Sequence, residues 1–295
     1  MKCFLCQKEV TNTLTDTLRD GSKRNVYFCE TCDLGILDNQ KTQTELRQYY
    51  KHVYRTDSPE KIFADFFPFQ HDRLRLLKPY LNKKVKLLEI GCAAGMFLNH
   101  VKDKVKEVAG LDYDTKSAKF TEEICNCKVF SSEDKLPKNY FDIICLFQTL
   151  EHVYNPYEYL LQVLKSLKPN GIIYIEVPNL YDSLVSTYNI PAHYKFFFHQ
   201  AHLWYFSEKS LLFLTHKLGI KGKTKFIQDY NVLNHLAWVN TGNLQDYVAG
   251  RAKPNVPLRK YKEINTFFIK MDKQYKQLLS KLKITSNIHY IGRKL

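Results

Sequence analysis

Short apolar segments that alternate with helical segments between residues 85 and 177 constrain the fold more than any other feature of this chain. Each apolar segment has the length of a strand and is apolar almost throughout, which is typical of strands buried on both faces of a parallel sheet. Helices supply the long crossovers that parallel strands need. The sequence therefore predicts an α/β fold with a doubly wound (Rossmann-like), mostly parallel sheet. The predicted strands cover residues 85–89, 107–112, 128–130, 141–147 and 172–177, and the predicted helices cover residues 95–102, 115–125 and 156–167.

Further elements follow this alternating region. The sequence predicts a turn at 168–171, a helix at 207–218 with an imperfect capping box, closing strands at 219–226 and 232–239, a basic helix at 258–282 and a short final strand at 288–293.

Two Cys-x-x-Cys pairs stand near the start of the chain. Cys3 and Cys6 form the first pair, and Cys29 and Cys32 form the second, roughly twenty residues later, a spacing used for structural zinc. Four thiolates would fill a tetrahedral Zn²⁺ site and leave no position for water, which favours a structural role. A redox pair or a chance arrangement is the alternative, and zinc ribbons also occur in nucleic-acid binders. The other four cysteines lie in the predicted core, where simple packing is expected.

A turn of small residues follows the first strand of the alternating region. Glycines at Gly91 and Gly95 let the backbone approach a ligand before a helix begins. The carboxylate of Glu89 would repel a phosphate, and it suits a cationic ligand such as S-adenosylmethionine (SAM), which has a sulfonium and an ammonium group. Asp112 ends the next strand, where a carboxylate can accept hydrogen bonds from both ribose hydroxyls. Taken singly, each acid could equally be a structural or solvated group.

Several motifs follow in order: Leu150-Glu-His-Val153, Leu167-Lys-Pro-Asn-Gly171 and Pro178-Asn179. With them, roughly residues 70–240 resemble the class I SAM-dependent methyltransferases. The resemblance implies that Glu89, Gly91, Ala93 and Gly95 line the methionine and ribose portion of SAM and that Asp112 holds the ribose. It also implies that Ser132, Glu133 and Asp134 flank the adenine and that Phe147 and Gln148 lie beneath the methyl donor. Most members of the family have glycine where this chain has Ala93. His152 is expected to help frame the pocket.

The segment at 192–207 places three histidines among aromatic residues after the last predicted parallel strand. A neutral histidine can take a proton from a hydroxyl while its oxygen attacks a methyl group. His-Leu-Trp-Tyr-Phe-Ser in this segment resembles the "HEHLSYFS" motif of zinc-containing sugar C-methyltransferases, which also begin with two Cys-x-x-Cys pairs. The resemblance makes His202 the candidate base, with His199 as a second catalytic candidate. His193 and His199 could equally be packing residues.

Two departures from these sugar enzymes favour O-methylation over C-methylation. Ala201 replaces the motif's glutamate, and a basic helical segment stands where those enzymes have a further C-terminal domain. The predicted function is SAM-dependent O-methylation of a sugar, a nucleotide-activated sugar or a related polar glycan precursor. The alternatives are C-methylation of a nucleotide sugar, RNA base methylation, and a non-catalytic SAM-binding module.

The charge of the chain is concentrated at its C-terminal end. Residues 251–295 contain twelve Lys or Arg but two acidic residues, out of a net charge of +14. A helix with solvated lysines explains this better than nucleic-acid binding, because glycine- and arginine-rich binding sequences are absent. The expected partner is a small-molecule acceptor, an anionic nucleotide-linked sugar or similar. No apolar stretch reaches the roughly 20 residues of a membrane span, and the cytoplasm is the expected compartment.

Four segments are expected along the chain. Residues 1–40 form a zinc-binding knuckle, 41–82 a helical aromatic lid or linker, 83–240 the SAM-binding methyltransferase domain, and 241–295 a basic helical segment with a short final strand. Tyr50 and Tyr54 in the second segment could cover the methyl donor or belong to a core.

Overall fold

The computed structural model describes residues 1–38, 41–54, 56–242, 250–252 and 262–294. The strands are β1 (Thr13–Thr17), β2 (Lys23–Cys29), β3 (Leu34–Leu37), β4 (Lys86–Ile90), β5 (Glu107–Leu111), β6 (Lys128–Phe130), β7 (Phe141–Phe147), β8 (Leu167–Pro178), β9 (Trp204–Phe206), β10 (Ile220–Ile227) and β11 (Asn287–Lys294). The α-helices are α1 (Gln43–His52), α2 (Pro59–Phe66), α3 (His71–Leu77), α4 (Met96–Val101), α5 (Thr115–Cys125), α6 (Pro156–Val163), α7 (Ser183–Ser186), α8 (Pro191–Phe197), α9 (Glu208–Lys217), α10 (Val232–Thr241) and α11 (Lys262–Leu282). Short 3-10 helices cover Phe67–Gln70, Lys78–Tyr80, Lys102–Lys104, Glu133–Lys135 and Leu150–His152.

A seven-stranded sheet has the order β10-β11-β8-β7-β4-β5-β6. Strand β4 pairs in parallel with β5 on one side and with β7 on the other, and β5–β6 and β7–β8 are also parallel pairs. Apolar side chains of these strands pack against α4, with Leu87, Phe97 and Ile143 almost fully buried. The prediction of an α/β, doubly wound, mostly parallel sheet is therefore confirmed.

A separate four-stranded sheet has the order β1-β2-β3-β9. Antiparallel pairing joins β1 to β2 and β2 to β3, and β9 then pairs with β3 although about 165 residues of chain separate them in sequence. The cysteine-bearing N-terminus therefore builds its sheet together with the histidine-rich segment.

The main chain groups into two compact units. The first unit comprises Met1–Asp38, Val177–Leu211 and Thr224–His289, and the second comprises Asn39–Glu176, Leu212–Lys223 and Tyr290–Leu295. The segment boundaries expected from the sequence, at residues 40, 82 and 240, remain a prediction.

Two predicted elements differ from the structure. Residues 232–239 form a helix instead of a closing strand, because Asn231 caps the N-terminus of α10 and Gly242 ends it in the left-handed conformation. The second is the turn predicted at 168–171, which is part of β8. There the pairing with β7 shifts register and Asn170 has a φ of 59°. A bulge in a continuous strand thus replaces that turn. The predicted final strand does form, as β11, and it lies inside the sheet between β10 and β8.

The predicted capping box of α9 forms with serine in place of glutamate. The Ser207 backbone N–H donates to Ser210 Oγ over 2.8 Å, and the Ser210 N–H donates to Ser207 Oγ over 3.2 Å. Of the predicted basic helix, residues 258–261 lie outside the described residues, and α11 begins at Lys262. Within the part of the chain that the structure describes, no helix combines the length and the apolar character of a membrane span.

Candidate functional site

The glycine-bordered loop after β4 bends sharply between the ends of β4 and β5. Gly91 and Gly95 both have a φ of 72°, and the Gly91 N–H donates to Leu111 O over 2.7 Å. A Cβ atom on Gly91 would lie 2.4 Å from Thr149 Oγ1, so the close approach of the loop to Thr149 excludes larger residues there. The Thr149 hydroxyl in turn donates a hydrogen bond to Ile90 O over 3.2 Å. These contacts define the loop that the sequence predicts.

Ala93 occupies the middle of this loop in the left-handed conformation, with a φ of 48°. For a residue with a Cβ atom this conformation costs about 1–2 kcal/mol. Two contacts hold it: the Ala93 N–H donates to Asp112 Oδ2 over 2.8 Å, and Thr121 Oγ1 donates to Ala93 O over 2.8 Å. A glycine would be unstrained at this position.

Asp112 is buried at the end of β5 and joins the loop to the following turn. Its other oxygen, Oδ1, accepts from the Asp114 N–H over 2.9 Å. Asp112 thus links the glycine-bordered loop to the turn that follows β5.

Glu89 is an acid buried in the sheet, one strand away from Asp112. Its side chain is 4% exposed, and its Oε2 atom accepts no hydrogen bond from the described residues. Burial raises the pKa of Glu89 to about 8, against the lowering effect of Arg73, and Asp112 and Glu176 raise it further. A buried acceptor with no donor is costly, and an ammonium or hydroxyl donor from a ligand would satisfy it.

Arg73 is a residue that the sequence analysis missed. Its guanidinium forms a two-point ion pair with the buried Glu176, with Nε 2.7 Å from Oε2 and Nη2 2.6 Å from Oε1. It also lies 4.5 Å from the centre of the Phe147 ring. Gln148, at a φ of 49°, donates its Nε2 hydrogen to Glu176 Oε1 over 3.0 Å. Arg73 and Glu176 therefore hold Phe147 and Gln148, the pair expected beneath the methyl donor.

The acids expected near the adenine differ in environment. Glu133 is buried, where Arg47 pairs with it and Tyr113 Oη donates to its Oε2 over 2.9 Å. Asp134 is exposed, and a hydrogen bond from Ser132 holds its pKa below the usual value. The buried acid of this group is thus Glu133. Its ion-pair partner Arg47 is a residue that the sequence analysis did not identify.

His152 lies in a cluster of aromatic rings in the second unit. The Tyr50 hydroxyl is 3.1 Å from His152 Nδ1, and the Tyr50 and Tyr54 rings contact the imidazole edge-on. His152 Nε2 is 3.8 Å from an oxygen of Glu151, whose pKa burial raises to about 8. The structure thus brings Tyr50, Tyr54 and His152 together in one cluster.

The four cysteines of the two pairs converge in the first unit. All their sulfur atoms lie within 4.8 Å of one another. In a tetrahedral zinc thiolate site with Zn–S bonds of about 2.3 Å, the sulfur atoms are about 3.8 Å apart. After each pair the chain makes the same turn: Gln7 and Asp33 have φ values of 62° and 58°, and their N–H groups donate to the carbonyls of Cys3 and Cys29. The arrangement fits a structural metal.

The knuckle contacts the histidine-rich segment directly. Ile36 of β3 pairs with Trp204 of β9, and the Phe4 ring, inside the first Cys-x-x-Cys turn, packs edge-on against Trp204 at 4.4 Å between ring centres. A Cβ atom on Gly35 would lie 2.9 Å from Tyr205 Cβ, so the two strands approach each other closely at this glycine. The cysteine turns therefore help to position residues 199–206.

His199 and His202 lie side by side in the turn just before β9. Their ring centres are 3.8 Å apart, and the His202 N–H donates to His199 O over 3.1 Å. Tyr205 Oη accepts from the His199 N–H over 3.0 Å, which fixes the turn. The third histidine of the segment, His193, is buried beside Trp238, and burial together with Arg19 lowers its pKa to about 4. His193 therefore stays neutral and reads as a packing residue.

Comparisons with known proteins identify several similar proteins. A family model described as a methyltransferase domain matches residues 60–222. A protein of Mycolicibacterium smegmatis named "Probable S-adenosylmethionine-dependent methyltransferase" is 26% identical over 99 residues, which cover 32% of this chain and 38% of that protein. A ubiquinone biosynthesis O-methyltransferase of Pelagibacter ubique is 26% identical over 160 residues, which cover 48% of this chain and 67% of that protein.

Among solved structures, one chain comes from a complex between the Haloferax volcanii Trm112 methyltransferase activator and a methyltransferase. It superimposes on this chain with a TM-score of 0.54. It is 13% identical, and the match covers 85% of this chain and 97% of that chain. At this identity the likeness extends to the fold alone. The chain spans 38% of the length of its Mycolicibacterium relative.

Proposed function

The chain belongs to the SAM-dependent methyltransferase family and is thus an enzyme, and we propose that it methylates an oxygen atom of a sugar, a nucleotide-activated sugar or a related polar glycan precursor. The observation that carries this proposal is the pairing of β3 with β9, which joins the cysteine knuckle to the strand that directly follows His199 and His202. The name of the Pelagibacter relative, an O-methyltransferase, supports oxygen as the accepting atom.

The residues around the glycine loop fit SAM, whose bound sulfonium supplies an electrophilic methyl group. The unsatisfied Oε2 of Glu89 would accept a hydrogen bond from the ammonium group, and Asp112 would hold the ribose. Gly91, Ala93 and Gly95 provide the backbone surface of this cradle. Further roles follow the resemblance: Ser132 and Asp134 would flank the adenine, and Phe147 and Gln148 would lie beneath the methyl donor.

His202 would act as the general base toward the acceptor hydroxyl. Methyl transfer is an in-line displacement, so the protein contributes by orienting the oxygen and by removing its proton as the new bond forms. His199, with its ring against that of His202, would hold the imidazole in place. His152, whose Nδ1 lies 3.1 Å from the Tyr50 hydroxyl, would help to frame the pocket.

Zn²⁺ bound by Cys3, Cys6, Cys29 and Cys32 would have a structural role. All four ligand positions are sulfur, so no site is open to water or substrate. The ion would fix the two cysteine turns and, through Phe4 and β3, the strand that follows the two histidines.

The proposed activity can be tested with the purified enzyme, SAM and a panel of nucleotide sugars. We expect one acceptor to gain the mass of a methyl group while S-adenosylhomocysteine accumulates in equal amount. Fragmentation of the product should place the methyl group on an oxygen. A methyl group on carbon would instead support C-methylation, and turnover of an RNA but of no sugar in the panel would overturn the proposal.

SAM affinity should increase with pH between pH 6 and 7.5. Below its pKa of about 8, Glu89 of the free enzyme holds a proton. Binding of a cation requires the carboxylate, so the Kd should fall by up to about tenfold per pH unit. The SAM ammonium stays mostly charged up to pH 7.5, because an α-amino group has a pKa of about 7.7–8.0. Calorimetric titrations at several pH values measure this slope.

Glu89→Gln is the matched variant for this experiment. It should lose the pH slope and bind SAM about 10–100-fold more weakly at pH 7.5, since a hydrogen bond to a charged group contributes about 1.5–3 kcal/mol. The raised pKa means that Glu89 stabilises the folded protein fully below pH 4.5 and loses this contribution as pH rises through 8. The neutral amide of the variant escapes this loss, so its Tm at pH 7.5 should be equal to or higher than that of the wild type. A wild-type Kd independent of pH would refute the assigned role.

A further inference from the structure

A surface cleft of about 520 Å³ opens in the second unit near the start of β5 and β6. Two cysteines line it, Cys125 at the end of α5 and Cys127 just before β6. Lys102 lies in the same cleft, with its Nζ donating to Ile124 O over 2.7 Å. None of these residues takes part in the proposed SAM or acceptor chemistry.

The two thiols are close to each other and differ in exposure. Cys125 is 3% exposed, whereas Cys127 is half-buried. The hydrogen bond from Cys125, together with Lys102, holds the pKa of Cys127 below its usual value, and the same hydrogen bond and burial raise the pKa of Cys125. Cys127 is therefore the more reactive thiolate, and Cys125 is a neighbour positioned to resolve its oxidation product.

The backbone between them allows a disulfide. Residues two apart in sequence are separated by at most about 7 Å, and Asn126 is in the left-handed conformation, with a φ of 50°, so the chain is folded back rather than extended. Disulfides form across Cα distances of about 4.4–6.8 Å. Both cysteines are free thiols in the structure.

Cys125 also contacts the SAM loop. Its Sγ lies 3.6 Å from Gly95 O, at the end of the glycine-bordered loop. A Cβ on Gly95 would lie 2.8 Å from Thr121 Cγ2, so α5 packs tightly beneath this loop. A change in the position of Cys125 therefore acts on the backbone that we assign to SAM.

From these contacts we propose that Cys127 and Cys125 form an oxidation site that weakens SAM binding when a peroxide converts the two thiols to a disulfide. The Cys127 thiolate attacks the peroxide O–O bond and becomes a sulfenic acid, with release of water or alcohol. The Cys125 thiol then displaces the sulfenic hydroxyl as water, forming the S–S bond. The two thiols are oxidised and the peroxide is reduced, with no further reactant.

Bond formation draws Cys125 toward Cys127 and away from Gly95 O. The contact between α5 and the loop is then lost on the side of Gly95, where the loop already contains the strained Ala93. The coupling between oxidation and SAM binding should be at least about fivefold in Kd, the lower end of usual coupling strengths.

The test treats the full-length enzyme with hydrogen peroxide and measures SAM affinity by calorimetry before and after, and again after dithiothreitol. Peptide mass mapping should find the Cys125–Cys127 disulfide, and the SAM Kd should rise at least about fivefold and recover on reduction. Zinc content, measured in parallel, separates this effect from oxidation of the knuckle cysteines. SAM affinity is independent of the acceptor, so the outcome does not depend on whether a sugar is methylated.

Cys127→Ser is the resistant variant, with Cys127→Ala as a second choice if the first folds poorly. Either should bind SAM like the wild type before treatment and keep that affinity afterwards. Cys145→Ala, which removes a buried cysteine elsewhere in the unit, should remain sensitive. The proposal is overturned if no disulfide between residues 125 and 127 forms, if it forms without a change in Kd, or if the Cys127 variants lose affinity equally.

Discussion

His202→Ala should lower kcat by about 10²–10⁴-fold, the usual contribution of a positioned general base. SAM affinity should stay within about twofold of the wild type, because His202 is not among the residues that we assign to SAM binding. The measurement pairs steady-state kinetics at saturating SAM with calorimetric SAM titration. Added imidazole should restore part of the turnover, which a merely structural role would not predict.

Two comparison variants give this prediction its specificity. Asp112→Ala should show the opposite pattern, with SAM Kd raised by about tenfold or more and a smaller change in kcat at saturating SAM. His193→Ala should affect folding stability more than chemistry, because this histidine is buried and neutral beside Trp238. If His202→Ala weakens SAM binding as strongly as Asp112→Ala does, the division between the two residues is wrong.

Much of the sheet follows from local sequence. Strands β6 and β7 and helix α5 have the predicted bounds, because continuous apolar runs and helical periodicity are local signals. The error at 232–239 has a local cause as well. Asn231 and Gly242 are a helix N-cap and C-cap, and they decide between a helix and a strand for an apolar run of this length.

The candidate site was harder to predict from the sequence than the sheet, because several of its contacts join residues that are far apart in the chain. Arg73 carries no motif, and its role arises because the fold brings it to Glu176, 103 positions later. Likewise, the sequence predicts acids near 133 but not which one Arg47 and Tyr113 bury. A buried ion pair requires both partners and the surface that covers them, and no local pattern contains that information.

The N-terminal cysteines illustrate both sides of this limit. Their spacing predicts the convergence of four sulfur atoms, which the structure brings within 4.8 Å. The spacing does not predict that β3 pairs with β9, so that the knuckle shares a sheet with the strand that directly follows the candidate base. A segment of about 40 residues buries little apolar surface by itself, so a bound metal would add stability to it. The metal would thus support the positions of His199 and His202 as well as the two cysteine turns.

Replacement of Cys32 by serine should therefore abolish most turnover while sparing SAM binding. A missing thiolate ligand lowers zinc affinity, and structural zinc supplies folding energy to small modules. Without it, the turn that contains Asp33 and the adjoining strand β3 lose their support, and β9 loses its partner. We expect kcat to fall by about 10²-fold or more, since small displacements of positioned groups have effects of this size. SAM affinity should change little.

Zinc content by elemental analysis, SAM titration and turnover should be measured on the same preparations. Cys145→Ala is the matched control: it removes a buried cysteine from β7, outside the knuckle, and should keep its zinc. Treatment of the wild type with a strong chelator should reproduce the Cys32→Ser phenotype, and re-addition of Zn²⁺ should reverse it. Full turnover in a protein shown to lack zinc would mean that β9 and the two histidines keep their positions without the metal, and the structural link from cysteine turn to catalytic base would have to be abandoned.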